Sequence, residues 1–512
     1  MKEILIIEYI VSLIILLFFH MHMFQLNSYF FSKHSHWMKV NILKIIIQLV
    51  GISLPFILFN FKNTVTNILA ILLLGFSIFY NFPKTKAKIP LKITNRVKRM
   101  LVTELILILL FSLVFTKYDI TLILFIINVL SPILCIIANF INSPIEYIGK
   151  QRYINQAKKI LSEIPNLTVI GVTGSYGKTS VKNFLAKTLG TKYEVLTTPL
   201  NYNTTMGVVK TIREHLKPTH QIFICEMGAT KPGDIKEICN IVKPTIGVIT
   251  SIGPQHLESF KSIDNIINTK FELANSVKEN GGITFLNFNN EYLSKQPIES
   301  NIYTYGINNP HLNYNAFDLH SSSSGLTFKI HDNTSNRDIE FKTKLIGKHN
   351  VINLTVAIGI AEHLGVPIEK SVHAVRDIRN VEHRLELISH GDFTIIDDAY
   401  NSNPISSKSA LDTLAEFEGT KIIVTPGLIE LGNDEEKYNF EFGKYMTGIC
   451  DYIFLVNSNS AKSILEGINS TNFNKDKIFT VNTPQEAIAQ ISNLKINGKI
   501  TALLENDLPD NY

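Results

Sequence analysis

Apolar positions follow two regimes along this chain. Over residues 1–142 they run in long blocks, and beyond that they recur in strand-length runs between helical patterns. Five blocks are read in the first regime, roughly residues 4–19, 42–59, 65–82, 101–115 and 120–141. Most approach the ~20 residues that a helix needs to cross the hydrocarbon core of a bilayer. The first and fourth are short or interrupted by a carboxylate, Glu8 and Glu104, so the pattern predicts four or five transmembrane helices. A cleavable signal would explain the first block and none of the later ones. Buried core helices of a soluble domain are the competing reading.

The second regime predicts α/β architecture. An amphipathic connector over residues 153–164 leads to a β-rich run, a glycine turn and a helical pattern through Val181, Phe184, Leu185 and Leu189. Further on, strands over residues 393–396, 421–424 and 453–456 alternate with helical patterns over 404–414, 435–446 and 487–491. That alternation predicts a second doubly wound, Rossmann-like domain. The polar tract 320–336 reads as a hairpin or an exposed loop. The expected division is residues 1–142, a transmembrane region of about five helices; 143–384, a P-loop central domain; and 385–512, a C-terminal α/β domain.

Composition sharpens this picture where charge is counted by segment. The 512 residues carry a formal net charge of +5, with a mean hydropathy of +0.14. Residues 1–142 hold 13 Lys/Arg against 4 Asp/Glu, which leaves 36 basic and 40 acidic residues for the remainder. The basic excess therefore sits among the apolar blocks, and a nucleic-acid partner is not expected. Lys84, Lys86, Lys88, Lys92, Arg96, Lys98 and Arg99 crowd one connection, which the positive-inside rule places in the cytoplasm. Lys33 and Lys39 fall on the same side if every block spans. The last two blocks then form a hairpin around residues 117–119, with the N-terminus external and everything after Pro144 cytoplasmic. Glu8 and Glu104 lie near span ends, where snorkelling is favoured over an ion pathway. The four cysteines are scattered without a C-x-x-C pair, which excludes a disulfide scaffold and a zinc site.

The clearest chemistry lies in the stretch from Leu167 to Ser180. A glycine turn between strand and helix lets backbone N–H groups and the helix N-terminus meet phosphate oxygens. Gly174, Ser175, Gly177, Lys178, Thr179 and Ser180 form the candidate loop. Lys178 would reach the β- and γ-phosphates, and the Thr179 hydroxyl would sit on Mg²⁺. The strict G-x-x-x-x-G-K-[ST] pattern is missed by one place, because Val172 stands where the first glycine belongs.

Seven segments in order resemble the Mur ligases, the ATP-dependent amide-forming enzymes of peptidoglycan precursor synthesis. They are Gly171-Val-Thr-Gly-Ser-Tyr-Gly-Lys-Thr-Ser180, Asn201-Tyr-Asn203, Glu226-Met-Gly-Ala-Thr-Lys-Pro-Gly-Asp234 and Ile249-Thr-Ser-Ile-Gly-Pro-Gln-His-Leu-Glu258. Gly347-Lys-His-Asn-Val-Ile-Asn353, His383-Arg384 and Asp397-Asp-Ala-Tyr-Asn-Ser-Asn-Pro404 follow. The resemblance covers roughly residues 165–435.

It implies a set of roles. Glu226, at the carboxyl end of an apolar run, and His256, after a Gly-Pro turn, would be Mg²⁺ ligands with Thr179; a helix-capping acid and a turn histidine are the plain alternatives. Lys270 would be the lysine that carries a carbamate and helps hold a second Mg²⁺, or an ordinary surface lysine. Asn287 would meet the adenine edge, or simply form a turn. Asn350 and Asn353 would organise the nucleotide side of the cleft, or cap a helix. Arg384 would meet the γ-phosphate and Asp398 the ribose, with His383 positional. Lys178, His256, Lys270 and Arg384 are the expected catalytic set, with ATP and Mg²⁺ as cofactors.

The resemblance further implies a carboxylate-bearing cell-wall precursor and an amine, D-alanyl-D-alanine being nearest by motif. Three departures bear on this. Transmembrane blocks stand in place of the family's soluble UDP-binding N-terminal domain, which admits a lipid-linked precursor and membrane lipids as partners. Thr425-Pro-Gly-Leu-Ile-Glu-Leu-Gly432 has Thr-Pro-Gly where an acidic residue is common. The end of the chain lacks the family's glycine-rich close. A polyglutamate-forming or other peptide ligase, a membrane ATPase or transporter, and an inactive scaffold therefore stay open.

Overall fold

The computed structural model describes residues 1–81, 90–199, 202–255, 257–400, 403–429, 431–456, 460–494, 496 and 498–506. The chain forms two compact units, one over residues 1–152 and one from Tyr153 onward.

The first unit is helical. Its helices run over Lys2–Leu26, Phe31–Val40, Ile42–Phe59, Thr64–Asn81 and Asn95–Val114, and a sixth, Ile120–Ser162, starts in it. Four of them, Lys2–Leu26, Ile42–Phe59, Thr64–Asn81 and Ile120–Ser162, are long and apolar enough to cross a membrane. Asn95–Val114, which contains the expected fourth block, is not among them: it carries Arg96, Lys98 and Arg99 in its first turns and buries Glu104. Thr94 caps its start by accepting from Val97 N–H. Large apolar side chains face outward, including Phe140 at 79% and Leu43 at 74% exposure. Lys84, Lys86 and Lys88 lie outside the described residues.

The last helix differs from expectation. A span ending near residue 141 and a separate connector were expected, but one 43-residue helix continues to Ser162 with Pro132 and Pro144 inside it. A proline removes one backbone hydrogen bond and can bend a helix without ending it. The apolar spacing beyond it keeps helical period, and Ile154 and Ala157, already within the second unit, are buried in one cluster with Val208, Val209 and Ile212.

The second unit holds two sheets. The first comprises β1 (Thr168–Thr173), β2 (Val195–Thr197), β3 (Ile222–Glu226), β4 (Ile246–Ile249), β5 (Ile283–Asn287), β6 (Ile302–Ile307), β7 (Tyr314–Ser322), β8 (Gly325–Asp332) and β9 (Arg337–Thr343). Their order is β2-β3-β1-β4-β5-β6-β7-β8-β9. Pairing is parallel from β2 through β7 and antiparallel across β8 and β9. The polar tract 320–336 is thus the hairpin alternative. Its strands alternate buried and exposed residues, as a half-buried antiparallel ribbon should. By contrast β1, β3 and β4 are buried on both faces and read as continuous apolar runs.

The second sheet comprises β10 (Glu386–His390), β11 (Phe393–Asp398), β12 (Thr420–Thr425), β13 (Tyr452–Val456), β14 (Ile478–Val481) and β15 (Ile500–Glu505). Its order is β10-β11-β15-β12-β13-β14, with only the β10–β11 pair antiparallel. The doubly wound reading holds. Helices Pro404–Ala415, Glu435–Met446, Ala461–Asn469 and Pro484–Asn493 supply the crossovers, and apolar clusters lie on both faces.

Candidate functional site

In an open parallel sheet, ligands bind beyond the carboxyl ends of the strands where the winding reverses. Here β1 pairs with β3 on one side and β4 on the other, so the reversal falls at the carboxyl end of β1. The loop Gly174–Gly177 leaves that end and opens the helix Lys178–Leu189.

Its conformation requires glycine. Gly174 has φ +152° and Gly177 φ +81°, and a Cβ on Gly174 would lie 2.0 Å from Thr250 Oγ1. The loop is tied to the segment after β4. Ser175 N–H donates to Ser251 O (2.8 Å), Tyr176 N–H to Ser251 Oγ (2.8 Å) and Ser251 Oγ to Tyr176 O (2.9 Å). Ser175 Oγ exchanges hydrogen bonds of 3.1 Å with Gly253 O and N. Ser175 therefore shapes the loop from within. On the other side, the buried helix His349–His363 presses Asn353 Oδ1 against Gly177, where a Cβ would lie 3.0 Å away. Asn350 points back, donating to Ile346 O at 2.8 Å.

Lys178 is half-buried and donates to Gly174 O (2.7 Å) and Ser175 O (3.1 Å). Burial pushes its ammonium down to about 8, against the pull of Glu226 and with the push of Arg384. Thr179 Oγ1 donates to Glu226 Oε1 at 3.2 Å. Glu226 closes β3 with 2% exposure, and Asn203 Nδ2 donates to the same oxygen at 3.1 Å. Its other oxygen lies 3.0 Å from Lys182 Nζ.

Lys270 is 3% exposed, so it is no surface lysine; burial and the neighbouring Lys178 charge push its amine down to about 7. Asn287 ends β5, with Nδ2 donating to Thr250 O (2.8 Å) and Oδ1 accepting from Asn289 N–H (3.0 Å). The second is a turn contact, whereas the first ties the end of β5 to the segment after β4. His256 and Asn201 lie outside the described residues, and Ser180 lies half-buried in the first turn of the helix Lys178–Leu189.

The link into the second sheet carries Arg384. Its guanidinium stacks 4.5 Å from the centroid of the Tyr400 ring, and its charge acts on both Lys178 and Asp398. Asp398 accepts from Leu385 N–H at 3.2 Å, and burial pushes its carboxyl up to about 6 against the pull of Arg384. His383 Nδ1 donates to Asp397 Oδ2 at 2.7 Å, which holds the imidazole above its ordinary range. His383 and Leu385 both adopt positive φ, +57° and +49°, so Arg384 sits on a backbone that turns sharply on either side.

Comparison with known proteins agrees with this geometry. A profile of the Mur ligase middle domain matches residues 172–361, and one described as Mur ligase, glutamate ligase domain matches 383–502. The UDP-N-acetylmuramoyl-tripeptide–D-alanyl-D-alanine ligase of Buchnera aphidicola subsp. Baizongia pistaciae is 31% identical over 344 residues, 66% of this chain and 72% of that protein. The chain belongs to the Mur ligase family. The Bacillus subtilis enzyme of the same name is 34% identical over 297 residues, 56% of this chain. The match spans 62% of that relative's length. Among solved structures, MurF from Acinetobacter baumannii superposes with a TM-score of 0.62 at 25% identity, covering 70% of this chain and 77% of that one.

Within this Mur ligase, three groups escaped the sequence reading. Lys182 sits one helical turn after Lys178 among Val181, Phe184 and Leu185; a lysine on an apolar face was the available signal. Ser251 and Gly253 hold the Gly174–Gly177 loop, which only strand order could reveal. Asp397 pairs with His383 through the antiparallel register of β10 and β11, which places Glu386 opposite Asp397.

Proposed function

We propose that this chain is a membrane-anchored, ATP-dependent amide ligase that joins a carboxylate-bearing cell-wall precursor to an amine, D-alanyl-D-alanine being the first candidate. The observation that carries the reading is the meeting of four groups at one switch point: the Gly174–Gly177 loop, Lys178, the Thr179–Glu226 pair and the Arg384 charge acting on Lys178. Residues 143–384 would form the nucleotide domain and 385–512 the domain that receives the amine.

The proposed chemistry has two steps. A substrate carboxylate oxygen attacks the γ-phosphorus of ATP, the bond from that phosphorus to the β,γ-bridging oxygen breaks, and ADP departs, leaving an acyl phosphate. The amine nitrogen then attacks the acyl carbon, phosphate leaves and the nitrogen loses a proton, giving the amide. Charge moves through the transferring phosphoryl group, so positioned cations supply most of the catalysis. Lys178 and Arg384 would supply them. Thr179 Oγ1 and Glu226 Oε1 form an all-oxygen donor pair that fits Mg²⁺, which would neutralise phosphate oxygens when bound. The buried, readily uncharged Lys270 amine favours the carbamate role, because CO₂ reacts with the neutral form.

Membrane anchoring is supported by the four long apolar helices, the outward apolar side chains and the basic residues Lys92, Arg96, Lys98 and Arg99. With that anchoring, the positive-inside rule favours a cytoplasmic side for residues from Pro144 onward. The decisive assay is phosphate release from ATP by detergent-solubilised protein, with mass spectrometry of the products, supplying candidate precursors with and without D-alanyl-D-alanine. Release that needs both acid and amine, with a product heavier by their condensation, is expected. Release without any acceptor would replace the ligase with an ATPase.

A further inference from the structure

Glu226 is the carboxylate on which the metal reading rests, and its two oxygens do not share one environment. Oε1 faces the phosphate loop, accepting from Thr179 Oγ1 (3.2 Å) and Asn203 Nδ2 (3.1 Å). Oε2 faces inward to Lys182 Nζ at 3.0 Å. Lys182 is 3% exposed and also donates to Thr198 O at 2.9 Å, so the ammonium is held from two directions. Thr198 belongs to the same frame. Its hydroxyl accepts from Glu226 N–H at 3.1 Å, and its own N–H donates to Ile224 O at 3.1 Å in β3. Turning that second oxygen outward would break the buried ion pair with Lys182.

That restriction has a consequence for cations. Ca²⁺ accepts both oxygens of one carboxylate at variable geometry, whereas Mg²⁺ is smaller, demands a near-octahedral shell and commonly takes one oxygen per carboxylate. We infer that Lys182 is a positioning residue that confines Glu226 to ligation through Oε1 alone, and thereby sets the site's preference for Mg²⁺ over Ca²⁺. The inference rests on the reading of Glu226 and Thr179 as metal ligands. Lys182 touches neither metal nor nucleotide in this scheme, and acts through the carboxylate behind which it lies. Groups behind a ligand commonly change metal affinity ~10–100-fold when removed.

The test titrates Mg²⁺ and, separately, Ca²⁺ against the full chain in detergent, reading binding of a fluorescent, non-hydrolysable ATP analogue. In Lys182→Met the ratio of Ca²⁺ to Mg²⁺ affinity is expected to rise about tenfold, the low end of that range. Lys182→Gln removes the ion-pair charge but leaves a polar amide of similar length behind Oε2, and is expected to shift the ratio the same way by about threefold. It also serves if the Met variant does not fold. A ratio unchanged in every variant that folds overturns the inference. Glu226→Gln separates it from its premise. Loss of metal-dependent analogue binding upholds the metal reading, so an unmoved Lys182 ratio then overturns the inference alone. Unchanged metal dependence in Glu226→Gln overturns both.

Discussion

Gly253 and Tyr176 set the sharpest structural test of the proposed nucleotide role of the Gly174–Gly177 loop. A Cβ on Gly253 would lie 1.3 Å from Tyr176 Oη and 2.4 Å from its Cζ, far inside any tolerable contact, so Gly253→Ala must displace the ring. Tyr176 lies in the middle of the loop, and its neighbours are fixed by the Ser175–Gly253 exchange and the Tyr176 N–H to Ser251 bond. Losing those three hydrogen bonds at ~1 kcal/mol each amounts to about 3 kcal/mol. Overpacking alone costs ~1–3 kcal/mol, of which displacing the ring relieves the greater part. If the loop yields rather than the whole domain, a 3 kcal/mol penalty appears as nucleotide binding weakened ~100-fold. Titration with a fluorescent ATP analogue measures this, and a parallel thermal melt checks that the domain stays folded. Tyr176→Ala removes the obstacle, so the double variant is expected to recover at least tenfold of the binding lost by Gly253→Ala alone, corresponding to a coupling of ~1.5 kcal/mol. Binding within threefold of the parent in Gly253→Ala, or a double variant no better than the single one, would show that the loop is not held this way.

Four further outcomes are expected. Arg384→Ala should lower kcat more than it raises the KM for ATP, by roughly 100-fold if the guanidinium acts on developing phosphoryl charge; equal effects on both would assign it to ground-state binding. Lys270 titrates near 7 in the fold and near 10.5 when unfolded. Between those values the unfolded chain binds the extra proton, so stability rises with pH through the window and the burial penalty is fully present below it. Lys270→Met should flatten the rise of Tm over that window in CO₂-free buffer, and an unaltered slope would contradict the assignment; Lys178, held near 8, accounts for the slope that remains. Asn403 caps the helix Pro404–Ala415, accepting from Ile405 N–H (3.1 Å) and Ser406 N–H (3.0 Å), so Asn403→Ala should cost about 1 kcal/mol in a denaturant titration without altering nucleotide affinity. A tag at Met1 should be protease-accessible from outside intact cells if five helices span; protection there would mean an even number.

The Gly174–Gly177 loop was legible because its pattern is contiguous: glycines, lysine and threonine stand together between an apolar run and a helical pattern, and no distant residue is needed to recognise them. Glu226 was legible for a similar reason, a carboxylate ending a buried strand. The doubly wound second domain could be read from alternation, but its centre could not. β15 runs between β11 and β12, and the sequence Ile500–Glu505 at the far end of the chain carries no mark of that position. Parallel pairing joins segments far apart in sequence, and register there is set by burial on both faces rather than by a turn. The helix to Ser162 escaped because the span was ended near residue 141, where the apolar run stops, whereas the helical period of apolar residues continuing into the amphipathic connector was the stronger signal.

Lys182 shows the same limit within the site. Sequence spacing places it one turn beyond Lys178 and so on the same helix face. Spacing cannot say that one ammonium turns to the loop carbonyls while the next turns beneath the sheet end to Glu226. The difference follows from what surrounds each. Lys178 stands at the helix N-terminus, where a cation is unfavourable unless phosphate or carbonyl oxygens receive it. Lys182 stands a turn deeper, among Val181, Phe184 and Leu185, where an ammonium survives only against a buried anion. A buried Glu226 and a buried Lys182 therefore require one another. Replacing either alone should destabilise the domain by several kcal/mol, whereas replacing both with apolar residues of similar size should recover much of that loss and abolish metal-dependent nucleotide binding. Stability recovered together with metal dependence would mean that Glu226 holds the fold and not the ion.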